Sequence, residues 1–407
     1  MSEVILAPQN MCTACGACVA ACTKECISME SDALGCGYPV IDERKCIECG
    51  ACRKACPVLT PQQAFPQGKV YAAWNADEQL RAQAASGGVA TAIYQYALCQ
   101  GMNCFGVACL ADGKTSFIPI KSLDDIRKCR NSKYVYTDIS PILKEIKQLV
   151  KSGETVVLPA LPCQIGAVLA YMGGKRDNLI LIDIVCHGVC PPEYLQQHIT
   201  AITEKKNKRA ETVYFRDPQF GTNQFVFSLH EKDRCFYHAP VHADDVYQLG
   251  YHKALTYREN CYHCNYAHAE RLGDLTIADF GGLGRLQPFT EKRESVSCVI
   301  VSSPAGEALL NALKEHGFLT CRERPVQEAF SYEKQLKHAS VPHERRESFL
   351  QLYRQSGQYE MAAKGALRKD ISKNRIRRLL CIDQIRKGLS KWTPKKLKTA
   401  IRKVIKP

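Results

Sequence analysis

Short apolar runs alternate with helical patterns through the middle of the chain. The segment ETVVLPALPCQIGAVLAYM opens with an apolar run, continues through a turn that carries a cysteine, and ends in a helical pattern. The segment NLILIDIVCHGVCPPEYLQQHI repeats this order. A short apolar strand, a loop and then a helix are typical of α/β units. The pattern therefore predicts an α/β body in which Cys163 and Cys186 follow the carboxyl ends of strands.

The remaining patterns divide the chain into four segments. KVYAAW predicts a strand, and ASGGVATAIYQYALCQG predicts a helix that follows a glycine pair. From about Val213 the chain is richer in strands and turns, and beyond about Glu344 it is helical and basic. The predicted segments are a cysteine-rich module (1–66) closed by the linker PVLTPQQAFPQGK, an N-terminal body domain (67–150), a C-terminal α/β domain (151–335) and a helical basic tail (336–407).

A cysteine motif occurs twice near the start of the chain with the same spacing. Each copy places four cysteines at intervals of three, three and four residues, and Pro57 follows the second copy. In bacterial two-cluster ferredoxins with this spacing, the fourth cysteine of each run binds the cluster of the other run. Small residues such as Ala14 and Gly16 let three thiolates on a tight loop converge on one cluster. The sequence therefore predicts two [4Fe-4S] clusters.

The crossed pairing assigns four cysteines to each predicted cluster. The first set is Cys12, Cys15, Cys18 and Cys56, and the second set is Cys46, Cys49, Cys52 and Cys22. A zinc ribbon is the alternative, but zinc usually takes its ligands as two separated pairs. Cys26 and Cys36 are left over and are interpreted as small packed residues. Because these clusters transfer single electrons, the rest of the chain must supply a donor, an acceptor or a reaction.

The 23 cysteines are interpreted as ligands or reduced thiols. A chain of 407 residues needs no disulfide scaffold, and its start lacks the pattern of a signal peptide. The longest uncharged run, 155–172, is interrupted by Pro159, Pro162 and Gln164, so no transmembrane segment is predicted. We expect a cytoplasmic protein, and the oxygen sensitivity of exposed clusters predicts an anaerobic source.

The net charge of +14 belongs to the end of the chain. From Lys364 onward there are 16 basic and two acidic residues, whereas the preceding residues are formally neutral. Apolar residues from Ile376 to Trp392 recur at near-helical spacing, and the final residues repeat the pattern. A cationic amphipathic helix is suited to an anionic membrane surface or an acidic partner. A solvated tail is the alternative, and nucleic acid is not the expected partner because no binding motif is present.

A second group of cysteines lies outside the doubled motif. Cys261 and Cys264 form half of a metal site, and strands of α/β folds gather ligands at their carboxyl ends. Our hypothesis is a third [4Fe-4S] cluster held by the third set, which comprises Cys163, Cys186, Cys261 and Cys264. The alternatives are a zinc site that also uses His263 or His268, a reactive thiol at Cys163 or Cys186 paired with His187, and ligation by Cys190.

Three further positions carry weaker signals. Ser86, Gly87 and Gly88 precede a helix and could bring backbone N–H groups to a flavin pyrophosphate, although a glycine pair is as often a plain turn. Lys133 could contact a phosphate or could be solvated. Asp274 and Asp279 flank a predicted strand and are interpreted as turn caps.

The order of these motifs resembles the coenzyme F420 hydrogenase/dehydrogenase beta subunit family. The likeness covers roughly residues 1–335. Beyond the doubled cysteine motif, it rests on SGGVATA (86–92), SKYVYTD (132–138), PCQIGAV (162–168), CHGV (186–189), CYHCNYA (261–267) and GDLTIADF (273–280). The resemblance implies an iron–sulfur flavoprotein that binds FAD and moves electrons to a deazaflavin or another two-electron partner. It also implies that Pro162 and Gln164 contribute to the cofactor site.

The chain departs from the family pattern at three places. Ala160 and Leu161 stand where Gly-Thr is usual, Glu259 and Asn260 replace Pro-Ser, and Gly281 replaces a common Trp. These positions surround the expected cofactor and substrate pocket. They leave open a chain that has lost its substrate site and serves as an electron-transfer subunit or docking partner of another redox enzyme.

Together these features predict an α+β fold with an N-terminal two-cluster ferredoxin module, a mixed α/β flavin-binding body and a basic helical tail. The predicted function is that of an oxidoreductase in which an FAD exchanges hydride with coenzyme F420 or another small molecule, such as a polysaccharide-pathway intermediate. Ferredoxin or another low-potential redox protein is the expected partner. His187 is the best-placed candidate for a catalytic acid.

Overall fold

The computed structural model describes residues 6–241 and 245–380. Its strands form a sheet of eight, a sheet of three and a two-stranded hairpin. The strands are β1 (Ile27–Ser31), β2 (Gly37–Ile41), β3 (Lys69–Asn75), β4 (Asn103–Cys109), β5 (Thr115–Pro119), β6 (Val156–Ala160), β7 (Leu179–Ile184), β8 (Thr212–Tyr214), β9 (Phe227–Glu231), β10 (Arg234–Ala239), β11 (Leu275–Asp279), β12 (Ser297–Val301) and β13 (Leu319–Arg324).

Most helices connect these strands or cover the faces of the sheets. They are α1 (Ala17–Ala21), α2 (Ala51–Lys54), α3 (Glu78–Gln83), α4 (Val89–Cys99), α5 (Leu123–Cys129), α6 (Ser140–Lys151), α7 (Pro162–Met172), α8 (Pro192–Lys206), α9 (Val246–His252), α10 (Glu259–Tyr262), α11 (Pro304–Glu315), α12 (Val326–Phe330), α13 (Arg346–Ser356), α14 (Tyr359–Ala366) and α15 (Arg368–Leu379). No described helix is long and apolar enough to cross a bilayer.

The eight-stranded sheet has the order β13-β3-β12-β11-β7-β6-β4-β5. The four strands β11, β7, β6 and β4 run parallel to one another, and antiparallel strands complete both edges. All five residues of β6 are buried, because helices cover both faces of a parallel sheet. The mixed α/β body predicted from the sequence is confirmed. Strands from 67–150 and 151–335 share this one sheet, so the predicted boundary near residue 150 does not separate two sheets.

Alternate side chains of β6 enter two different cores. Val157 packs with α4 and α11 on one face, whereas Leu158 packs with α6 and α7 on the other. Cys15 and Ala55 of the cysteine-rich module belong to this second core. The module is therefore packed directly against α6 and α7 of the body, and an isolated bridge between Phe65 and Arg271 adds a backbone connection.

The segment after residue 336 differs from a simple tail. Helices α13 and α14 pack with α8 and α9 in an aromatic core that includes Tyr194, Phe349 and Tyr359. Among the helices described after residue 336, α15 alone has no buried residue, and its Leu379 is 82% exposed. The predicted apolar stripe beyond Leu380 lies outside the described residues.

Candidate iron–sulfur sites

The four cysteines of the first set surround one cavity. The cavity is also lined by Thr13 and Val58. Gly16 ends the first loop in a left-handed conformation (φ 66°), where a Cβ atom would lie 2.3 Å from the Cβ of Ser140. A glycine is needed here both for its conformation and for its close contact with α6.

The four cysteines of the second set line a different cavity, together with Cys26. The Sγ atoms of Cys22 and Cys26 are 3.3 Å apart, so a fifth thiol lies against the second set. The sequence motif did not assign Cys26 a role, because it falls outside the repeated spacing. The fold thus brings the four cysteines of each crossed set to one cavity, as the spacing predicts.

The third set converges from three parts of the body. Cys163 lies in the first turn of α7, directly after β6, and Cys186 lies in the loop after the neighbouring parallel strand β7. Cys261 belongs to the short helix α10, and Cys264 follows it. All four line one cavity. The prediction that Cys163 lies in a loop before the helix is wrong. The helix already begins at Pro162, because proline is favoured at the first helical position, so Cys163 lies in the first turn of α7.

The cysteines of the third set are half-buried, and desolvation of their thiols makes them poor acids on their own. Desolvation raises the pKa of Cys261 to about 11, and the neighbouring Cys264 adds to the rise. Desolvation and the neighbouring cysteines of the set likewise raise the pKa of Cys186 and that of Cys163. A cation bound by all four sulfurs would offset this cost, because metal ligation stabilises the thiolate form.

Two features around the cavity fit an anionic cluster. The buried guanidinium of Arg258 lies over the Tyr136 ring at 4.5 Å, and its Nε atom has no hydrogen-bond partner among the described residues. The N-terminus of α7, where Cys163 lies, adds the partial positive charge of a helix dipole. Four thiolates and a [4Fe-4S] core carry net negative charge, so both features fit that group.

Buried hydrogen bonds fix the segments that carry the third set. The side chain of Gln164 accepts from the Leu161 N–H at 2.9 Å and donates to the Thr137 carbonyl at 2.7 Å, which fixes the start of α7. Arg271 donates to Asp183 Oδ1 at 3.0 Å and so links the segment after Cys264 to β7. Both partners of this ion pair are almost fully buried.

Gly188 allows the loop after Cys186 to pass the ring of Tyr257. Its φ is 142°, and a Cβ atom would lie 2.3 Å from Tyr257 Cδ2. We expect Gly188→Ala to lower the free energy of unfolding by about 1–3 kcal/mol and to reduce bound iron, because either the loop or the ring must shift.

Gly281→Ala is the matched control for this substitution. A Cβ atom at Gly281 meets nothing within 4 Å, so we expect a change within about 0.5 kcal/mol. Urea unfolding without oxygen, followed by circular dichroism, measures both variants. Equal midpoints for Gly188→Ala and the unsubstituted protein would contradict this role of Gly188.

The cavities of the first and third sets adjoin each other. Thr13 and Val58 line both cavities, and the Tyr136 hydroxyl donates to the Ala14 carbonyl across the same boundary at 2.5 Å. Cluster-to-cluster transfer requires short distances between the sites. The fold therefore places the third set next to the ferredoxin module and not at a remote point of the body.

The six residues predicted to bind FAD make contacts with different parts of the fold. Gly87 donates its N–H to Ser297 Oγ, and a Cβ atom there would lie 2.3 Å from the Ala73 carbonyl oxygen, so this glycine serves packing. Ser86 Oγ donates to the Val296 carbonyl. Gly88 is the left-handed N-cap of α4.

The other predicted flavin residues lie elsewhere. Lys133 donates to the carbonyls of Cys129, Arg130 and Asn131 at the end of α5, and burial lowers its pKa to about 8. Pro162 lines the third cavity, whereas Gln164 uses its amide within the protein. These contacts place the six residues in different surroundings, and FAD binding stays a prediction for this chain.

The histidines named with the third set have different surroundings. His187 is exposed and lines the third cavity, and its backbone carbonyl accepts from Ser340 Oγ. His263 also lines the cavity, and its Nε2 atom lies 3.4 Å from Glu259 Oε1. His268 is paired with Glu270 at 3.2 Å. Four thiols complete a ligand set without any of these imidazoles.

The two aspartates of the GDLTIADF motif form defined contacts. Asp274 is buried and accepts from Ser303 Oγ, the Leu181 N–H and Lys175. Asp279 forms an ion pair with Arg216 at 2.8 Å. Asp274 thus links two strands and a helix start, which is more than the local turn cap that the sequence suggested.

Sequence reasoning missed Tyr136, Arg258 and Arg271 at the third site. Tyr136 lies inside the SKYVYTD motif, and Arg258 and Arg271 flank the Cys261–Cys264 pair, so proximity to these motifs was the available signal. Nothing in the sequence shows that Arg258 is buried between the cysteine sets.

Comparisons with known proteins assign three regions. Residues 11–59 match the 4Fe-4S dicluster domain, which confirms the predicted ferredoxin module. Residues 70–144 match the N-terminal model of the family described as coenzyme F420 hydrogenase/dehydrogenase, beta subunit, and residues 153–326 match the C-terminal model of that family. No curated protein matches the chain.

Among solved structures, the chain is similar to one from the F420-reducing [NiFe] hydrogenase complex of Methanosarcina barkeri. The identity is 18%, the TM-score is 0.44, and the match covers 77% of this chain and 91% of that chain. The two family models together match more than half of the sequence. The chain therefore belongs to the coenzyme F420 hydrogenase/dehydrogenase beta subunit family.

Proposed function

We propose that this chain passes electrons between two ferredoxin-type clusters and a third [4Fe-4S] cluster, and that an FAD exchanges hydride with a small organic molecule at the end of this path. Membership of an oxidoreductase family and the dicluster domain support the iron–sulfur part. The observation that carries the proposal is the cavity of four cysteines that shares Thr13 and Val58 with the first set.

In this proposal, residues of the body hold the third cluster and limit its contact with water. The third set supplies four thiolates, and the buried charge of Arg258 favours the reduced, more negative state. Arg271 and Asp183 keep the Cys264 segment in place. A [4Fe-4S] cluster supplies one-electron transfer, with a potential that nearby charge and burial adjust.

The second set is the proposed entry point for electrons. Cys49 is exposed, and the neighbouring Ile47 is 59% exposed, whereas Cys12 and Cys15 of the first set are buried. A ferredoxin or another low-potential redox protein would dock over this exposed apolar side chain. The order of transfer would then be second set, first set and third set.

FAD and its acceptor are supported by the family alone. Coenzyme F420 is the candidate acceptor that the family description names. The internal hydrogen bonds of Ser86, Gly87 and Lys133 favour a second candidate function, a relay subunit without its own flavin.

Flavin content separates the two functions. We expect about one FAD per chain when protein purified without oxygen is denatured with acid and the released flavin is quantified. The control is iron determined on the same sample. A chain with full iron that releases no flavin, and takes up none on reconstitution, would contradict the flavoprotein proposal and support the relay.

A further inference from the structure

A second kind of ligand cluster lies in the three-stranded sheet. One ligand atom from each of Asp217, His230 and Cys235 lies within 4.8 Å of the others. Asp217 is 2% exposed and His230 is 8% exposed, whereas Cys235 is half-buried. None of these residues lines the three cysteine cavities described above.

The register of a tight hairpin brings two of the three residues together. A two-residue loop, in which Lys232 has a φ of 52°, joins β9 to β10. Cys235 is the cross-strand partner of His230 in this antiparallel pair. Directly opposite residues project from the same face of the sheet, so the thiol and the imidazole are neighbours.

A β-bulge lies next to the Cys235–His230 pair. The register shifts between Cys235 and Tyr237, directly after the cross-strand pair. Such bulges bend a strand locally and redirect a side chain, and they are common beside functional sites. Here the irregularity begins directly after the residue that contributes the sulfur.

The carboxylate of Asp217 is held in place from the same face. Its Oδ1 accepts from the Gln219 N–H at 2.8 Å, and its Oδ2 accepts from Ser228 Oγ at 2.5 Å. The same Oδ2 is 2.8 Å from His230 Nε2. These contacts fix the carboxylate toward the imidazole before any ion binds.

The donor set of one oxygen, one nitrogen and one sulfur selects the kind of ion. Zinc is bound by carboxylate, imidazole and thiolate, and three protein ligands leave a fourth position for water or substrate. Magnesium and calcium prefer oxygen alone, and a [4Fe-4S] cluster needs four ligands, usually thiolates. We propose that Asp217, His230 and Cys235 form a zinc site separate from the iron–sulfur sites.

Zinc binding to the iron-loaded protein tests this proposal. The protein is purified without oxygen, treated with EDTA and dialysed against Zn²⁺ alone, and zinc and iron are measured by mass spectrometry. We expect about one zinc per chain at unchanged iron content. Cys235→Ser and His230→Gln are each expected to weaken zinc binding by about tenfold or more.

The controls separate this site from the cysteine sets. Cys321→Ser, which changes a half-buried cysteine of β13, should bind zinc as the unsubstituted protein does. Constant iron in every sample shows that zinc has not replaced a cluster. Cys235→Ser keeps the size of the side chain, so it reports on ligation even if His230→Gln fails to fold.

Two results would overturn the proposal. One is an iron-loaded protein that binds no zinc at micromolar concentration. The other is zinc binding that persists unchanged in Cys235→Ser. Either result would leave Asp217 and His230 as a buried hydrogen-bonded pair that stabilises the sheet.

Discussion

Cys261→Ser is expected to remove about four of about twelve irons per chain and to leave both ferredoxin clusters in place. The reason is that the third set draws its four sulfurs from α7, the loop after β7, α10 and the turn after α10, whereas the first and second sets line separate cavities. Iron analysis and quantitative electron paramagnetic resonance of the reduced protein measure the loss. Electron delivery beyond the ferredoxin module should be abolished.

Cys190→Ser is the matched control for this experiment. Cys190 is fully buried near Cys186 but does not line the third cavity, and its Sγ is 3.1 Å from Thr256 Oγ1. We expect the control to keep all of its iron. Unchanged iron in Cys261→Ser would contradict the third cluster, and a comparable loss in Cys190→Ser would favour the alternative in which Cys190 is a ligand.

His198→Gln is expected to lower the free energy of unfolding by about 3–5 kcal/mol. His198 is buried between Asp245 at 3.0 Å and Glu360 at 2.5 Å. Burial alone lowers the pKa of His198, but the two carboxylates outweigh it and raise the pKa to about 9. Removing the imidazolium leaves the fully buried carboxylate of Asp245 without a cation, whereas Glu360 keeps its ion pair with Lys364.

The pH dependence follows from the sign of this shift. Because the folded pKa of His198 lies above the unfolded value of 6.5, its contribution is complete below pH 6.5 and is lost as the pH rises through about 9. Urea unfolding between pH 6 and 9.5 should therefore show a decline that His198→Gln lacks. His338→Gln, at an exposed position, is the control. Parallel curves for all three proteins would contradict the role of His198.

Local spacing made the ferredoxin module predictable. Three cysteines at intervals of three residues lie on a single loop, so their convergence depends on a few backbone angles and on glycines such as Gly16. The parallel direction of β6 and β7 also follows from local pattern, because an apolar run that is followed by a helical pattern predicts a parallel strand. That is why Cys163 and Cys186 were expected at one edge of the sheet.

Non-local pairing produced what the sequence did not predict. The sequence predicts that α13 and α14 belong to a basic tail, but they form part of an aromatic core, because their buried faces pack against α8 and α9. The flavin interpretation of Ser86 and Gly87 depended on free polar groups, and only the approach of Ser297 and Val296 shows that these groups are used.

The sequence by itself therefore determined the doubled cluster motif, the α/β body and the family. Only the tertiary structure decided that the cavities of the first and third sets adjoin each other, that Arg258 is buried beside the third set, and that Asp217 lies close to His230 and Cys235. The physical reason is the range of the interactions. Ligand spacing and apolar periodicity are set by neighbouring residues. Adjoining cavities, buried charges and cross-strand partners depend on the register and packing of segments that are distant in sequence.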